Sequence, residues 1–133
     1  MTVGKSPCDD VEQHLGTVLS RRGFTLVATE PDIVYGERPA WTVYYRGADC
    51  KLQICWSARE GGVEFLLAPL DAPNEFGLVN ESKEWQFLLS LSESDDGLAT
   101  PSLDAGSDTW WDWRKALLEA HIDDARDSLL SES

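Results

Sequence analysis

The chain has 133 residues, with 24 Asp and Glu against 11 Lys and Arg, a net charge of −13 and 42% apolar residues. That length suits one domain, residues 1–133, which buries about two thirds of its unfolded surface, and six Trp, four Phe and three Tyr supply a core that excludes wholesale disorder. Because phosphate is held by Lys and Arg, the charge argues against a binder of nucleic acid or of an anionic membrane.

A helix is predicted first. Ser6 can cap it, Pro7 suits its first position and Asp9 lies near its positive end. Val11, Leu15, Val18 and Leu19 then recur at helical spacing, and Gly23 stops it with Phe24 behind. From Phe24 the period shortens to two. Phe24–Ala28 and Ile33–Tyr35 read as short strands separated by the turn former Glu30-Pro31-Asp32. Three clearer strands follow at Trp41–Arg46, Lys51–Ser57 and Val63–Ala68, joined by hairpin-length connections at Gly47-Ala48-Asp49 and Glu60-Gly61-Gly62. One face of this antiparallel meander is apolar (Trp41, Val43, Tyr45, Leu52, Ile54, Trp56, Val63, Phe65, Leu67). The other carries Thr42, Tyr44, Arg46, Lys51, Gln53, Ser57 and Glu64, which reads as a solvated face.

Residues 69–77, PLDAPNEFG, read as a structured loop. The stretch Glu81–Ser92 fits both periods; the absence of Val, Ile and Thr and a possible cap at Asn80 favour a helix. Residues 93–107 read as a surface loop. Ser107 can then cap a long helix over Asp108–Leu130, with Trp110, Trp113, Leu117, Leu118, His121, Ile122, Ala125 and Leu129 on its apolar side.

No apolar run has the length of a signal peptide or a membrane span, so the chain reads as cytosolic. Cys50 and Cys55, five apart on or beside one strand, point to opposite faces and do not easily bridge; buried reduced thiols are the simple reading of the three cysteines. His14 and His121 have no metal-ligand spacing, and His121 reads as a packed core residue rather than a base. No GxSxG, no Cys beside a His and no DxD pattern is present. The expectation is therefore a protein without catalytic residues, metal or cofactor. Trp41, Trp56 and Trp85 read as packing between the sheet and its covering helix.

The acidity is uneven. Residues 1–92 hold 13 acidic and 8 basic residues, and residues 93–133 hold 11 and 3. On the last helix Asp108, Asp112, Glu119 and Asp123 project within about a 60° sector, an acidic ridge that is either a plain solvated face or a docking surface for a basic partner. Trp110, Trp111 and Trp113 spread too widely around the helix start to be buried together, and Trp is enriched at binding hot spots. Asp108, Trp110, Trp111, Asp112, Glu119 and Asp123 are thus candidate partner-binding residues, with Tyr44 beside Arg46 and Gln53 as a second, weaker patch.

The segments LQICWSAREGG, APLDAPNEFG and NESKEWQFL resemble, over about a quarter of the chain, small bacterial immunity proteins found beside polymorphic toxins. The resemblance implies a cytosolic protein that inactivates a cognate toxin by covering its active site; the interface residues above come from the residue pattern alone. The expectation is an α+β fold, an antiparallel meander of about four to five strands with an N-terminal and a long C-terminal helix on one face. Its expected function is neutralisation of a basic toxin, such as a nuclease, as a monomer or homodimer. The alternative is a secretion-type chaperone that holds an effector segment.

Overall fold

A computed structural model describes residues 7–59, 62–77, 79, 81–92, 97–102 and 104–131, with the side chains of Pro7, Cys8 and Ser107 undescribed. The proposed caps Ser6 and Asn80, the Cys8 thiol and the Ser107 side chain lie outside what is described, as do residues 60–61, 93–96 and 103. The elements are α1 (Pro7–Arg21), β1 (Thr25–Tyr35), β2 (Arg38–Arg46), β3 (Lys51–Ser57), β4 (Val63–Ala68), β5 (Gln86–Phe87), α2 (Leu88–Leu91) and α3 (Ser107–Ser131). The five strands form one antiparallel sheet in the order β1-β2-β3-β4-β5. It is the expected mixed α+β meander with an N-terminal and a long C-terminal helix.

α1 ends as its sequence dictates. Gly23 takes φ +80°, its N–H donates to the Ser20 carbonyl at 3.0 Å, and the Phe24 N–H donates to the Leu19 carbonyl at 2.9 Å. This paired closure caps the last carbonyls and swings Phe24 into the core, where burying such a ring stabilises by roughly 1.5–3 kcal/mol. Val11, Leu15, Val18 and Leu19 of α1 and Trp111, Leu117, Leu118, Ile122, Ala125 and Leu129 of α3 pack on the sheet face of Trp41, Val43, Tyr45, Leu52, Ile54, Phe65 and Leu67.

Two expectations about the strands are corrected. The two expected strands, Phe24–Ala28 and Ile33–Tyr35, are from Thr25 onward a single edge strand, β1, whose register with β2 shifts between Leu26 and Ala28 and again between Glu30 and Ile33. Pro31 sits in the second bulge, where an edge strand tolerates a residue with no N–H to donate. Glu81–Ser92 is not a helix over its length: residues 81–85 are irregular, Gln86–Phe87 form the two-residue β5, and only Leu88–Leu91 make a helical turn. Each period matched a different part of the segment.

The face expected to be solvated is instead a second core. The irregular segment between β4 and β5 folds back over it, so Ala40, Tyr44, Cys55, Leu66 and Ala68 are buried against Ala72, Phe76 and Trp85. Trp85 therefore packs against this face and not under a helix, with its ring tilted at 5.9 Å to that of Tyr44 and its Nε1–H donating to the Pro73 carbonyl at 2.9 Å. The polar residues beneath the segment are consumed by it. Gln53 accepts from the Thr42 hydroxyl at 2.8 Å and from the Gly77 N–H at 2.9 Å, and donates to the Glu75 carbonyl at 3.0 Å; Lys51 donates to the Ala72 carbonyl at 2.7 Å. Pairing these groups is what makes their burial affordable in free energy, since a buried polar group without a partner costs about 1–3 kcal/mol.

Candidate protein-binding surface at the start of α3

The first two turns of α3 gather most of the candidate residues, but not in one role. Trp111 is 5% exposed and belongs to the core, lying flat on the His14 ring of α1 with centroids 5.2 Å apart and planes within 2°. Its assignment as a contact residue is corrected: the indole faces the helix that packs on it and not solvent. Trp110 is half-buried and meets the half-buried Trp113 edge-on at 5.7 Å. The Arg114 guanidinium sits over both neighbours, 5.6 Å from the Trp110 ring and 5.0 Å from the Trp111 ring. Such stacking is worth about 0.5–2 kcal/mol, and it holds a cation whose pKa burial lowers.

The acidic ridge is present as an exposed row. Asp108, Asp112, Glu119 and Asp123 all face solvent. Two of them border α1, with Asp108 4.0 Å from the His14 Nε2 and Asp123 3.5 Å from the Arg22 guanidinium. Among the described residues Asp112 and Glu119 have no cationic partner. Exposed contacts of this kind contribute little to stability, ~0–1 kcal/mol, so the row is free to serve an electrostatic purpose.

Tyr44 is not part of this surface. It is 1% exposed, on the opposite side of the sheet, and its hydroxyl donates to Glu30 Oε2 at 3.1 Å. Burial, then the Glu30 carboxylate, pushes its phenol upward from the ordinary 10.0. The proposed Tyr44, Arg46 and Gln53 patch does not form, because the segment between β4 and β5 covers Tyr44 and Gln53.

Two clefts flank the helix start. A shallow one of ≈ 300 Å³ is walled by Trp41, Trp56 and Trp111, with Asp10 and Arg114 at its polar positions. A larger one of ≈ 450 Å³ lies between β4, α2 and α3, and Val63 lines both. The sequence places Trp56 and Val63 on the apolar sheet face and gives no sign that they remain partly open, whereas the partial exposure of Trp113 agrees with the wide spread of the three indoles at the helix start.

His121 is buried, with Nδ1 2.7 Å from Ser92 Oγ, and that hydroxyl donates to Asp124 Oδ2 at 3.2 Å. A hydroxyl turned toward a carboxylate in this way knits α2 to α3. Cys50 and Cys55 are buried on opposite faces, as their offset predicts, and burial raises both thiols to about 12, with Asp49 adding at Cys50 and Glu64 at Cys55. Among the described residues no group of three or more His, Cys, Asp and Glu could hold a metal ion, and no helix is long and apolar enough to cross a membrane.

What the fold and surface define is an α+β domain with an acidic helix presented beside apolar clefts. No family model, no curated protein and no solved structure matches the chain.

Proposed function

We propose that the chain is a non-catalytic binding protein that neutralises a basic protein partner, in the manner of a cytoplasmic bacterial immunity protein acting on its cognate toxin. The observation that carries this reading is the exposed row Asp108, Asp112, Glu119 and Asp123 on α3, with two carboxylates unpaired among the described residues and Trp110 half-open next to them. A row of carboxylates on a rigid helix imitates the negative charge of a phosphate backbone. A basic cleft built to attract phosphate attracts it at long range and is then blocked. Trp110 supplies the apolar anchor that a charged surface lacks.

The test is binding to the product of the adjacent reading frame. A stoichiometric complex that abolishes that protein's toxicity is expected. Asp112→Lys, Glu119→Lys and Asp123→Lys together should slow association by at least about tenfold at low salt and flatten its salt dependence. Association that is unchanged in rate and salt slope would overturn the role of α3.

A further inference from the structure

The end of the sheet opposite β1 is left unfinished. β5 pairs only with Leu66 and Leu67, and at Leu88 the chain leaves the sheet for the single turn of α2. Among the described residues no strand runs beside Val63–Phe65 on that side. The place where one would run is the cleft of ≈ 450 Å³, floored by Val63, Glu64 and Phe65 and walled by Phe87, Leu89 and Trp113. Phe87 and Leu89 are 38% and 54% exposed, large apolar side chains turned toward an open space of the size that ligand clefts have. β1 at the other edge carries two bulges and Pro31, which blunt it against pairing. β4 has no such device.

We propose that this cleft takes an extended, basic segment of a protein partner by strand addition to β4. The segment would prolong β5's row, its main chain pairing with the β4 edge at the usual ~4.8 Å spacing. Alternate apolar side chains would enter between Leu89 and Trp113. Charge decides between occupants. The chain carries −13, so a segment with Lys or Arg at alternate positions is attracted. A second copy of the chain would instead bring −13 toward −13. The inference rests on the proposed function only for the sign of the partner's charge; the site is separate from the acidic row, and either can fail alone.

The probe is a synthetic peptide of alternating Lys and Val, about six residues long, titrated into the isotope-labelled chain and followed by amide resonances and hydrogen exchange. Resonances of Val63–Phe65 and Leu88–Leu89 should shift, and exchange of amides along Val63–Phe65 should slow about tenfold or more. The same peptide methylated on alternate amide nitrogens, and one with Glu in place of Lys, should bind at least about tenfold more weakly. Leu89→Lys, at an exposed position that leaves the fold intact, should weaken the Lys-Val peptide by a similar factor, while Asp112→Lys and Glu119→Lys on α3 should weaken it far less. Shifts confined to α3, equal binding of the methylated peptide, or a concentration-dependent dimer that protects Val63–Phe65 without peptide would each overturn the proposal.

Discussion

The backbone N–H of Gly77 donates to Oε1 of Gln53 at 2.9 Å, joining the irregular segment before β5 to the centre of the sheet. The approach is so close that a Cβ at Gly77 would stand 2.8 Å from Cδ2 of the buried Leu66. Gln53 also serves Thr42 and the Glu75 carbonyl, so one side chain satisfies three partners beneath a covering made of loop. Gln53→Leu keeps the volume but takes away the partner of the Gly77 N–H and of the Glu75 carbonyl, while the Thr42 hydroxyl keeps the Ile54 carbonyl at 3.3 Å. It should lower the unfolding free energy by about 2–4 kcal/mol in urea titration, and Gly77→Ala by about 1–3 kcal/mol. If both are near neutral, the segment does not close over this face in solution.

The β1–β2 hairpin turns on Gly36 and Glu37, with φ +58° and +66° and Tyr35 paired to Arg38. Two successive positive φ values define the two-residue turn that matches strand twist, and glutamate is a poor choice for its second position. Glu37→Gly should therefore raise stability by about 0.5–1 kcal/mol in thermal melts, whereas Glu37→Val should lower it by a similar amount or more.

Trp111 and Trp110 are neighbours with opposite duties. Trp111→Ala removes a core indole and its stack on His14, and should cost about 3–5 kcal/mol with or without a partner. Trp110→Ala loses an edge-on contact with Trp113 and should cost only about 0.5–1.5 kcal/mol. Its larger effect should appear in the dissociation rate of the partner complex. Equal destabilisation by the two substitutions would contradict this division.

Alkaline pH should loosen the fold. Cys50 and Cys55 are raised from 9.0 to about 12 by burial, so between those values the unfolded chain has shed protons that the folded chain keeps. The stabilisation is whole below about 9 and is lost as pH rises, by up to ~1.4 kcal/mol per pH unit for each thiol. The raised Tyr44 phenol acts in the same direction above 10.0. Lys51 opposes them: burial, then Arg46, lowers its pKa below 10.5, so the folded chain loses that proton first and gains stability over that window. Three groups against one leave a net fall, measurable as urea midpoints at pH about 8 and about 10.5. Cys50→Ala with Cys55→Ala should make the decline shallower; an unaltered slope would mean that the thiols ionise without unfolding.

The residues that were easiest to read were those whose burial depends on local period alone. Val11, Leu15 and Leu19 on α1, and Leu118, Ile122 and Ala125 on α3, are buried where their spacing places them. The acids at 108, 112, 119 and 123 face solvent because the same geometry that buries one side of a helix exposes the other. Tyr44 and Gln53 misled because alternation records that a strand has two faces, not what will cover the polar one. Their cover is a segment with almost no regular structure, which carries no period to detect.

The sequence by itself determined the α+β class, the order of the three central strands of the meander, the two helices on the apolar face and the acidic row, since all of these follow from side-chain periodicity and the turn chemistry of Gly, Pro and Asp. Only the tertiary structure decided which tryptophans are core, that the second sheet face is closed by a loop, and that β4 ends beside an open cleft. Each of those depends on contacts between residues far apart in the chain, such as Gln53 with Gly77 and His14 with Trp111. Their free energy appears only once loop closure has brought the partners together, and no local pattern encodes it.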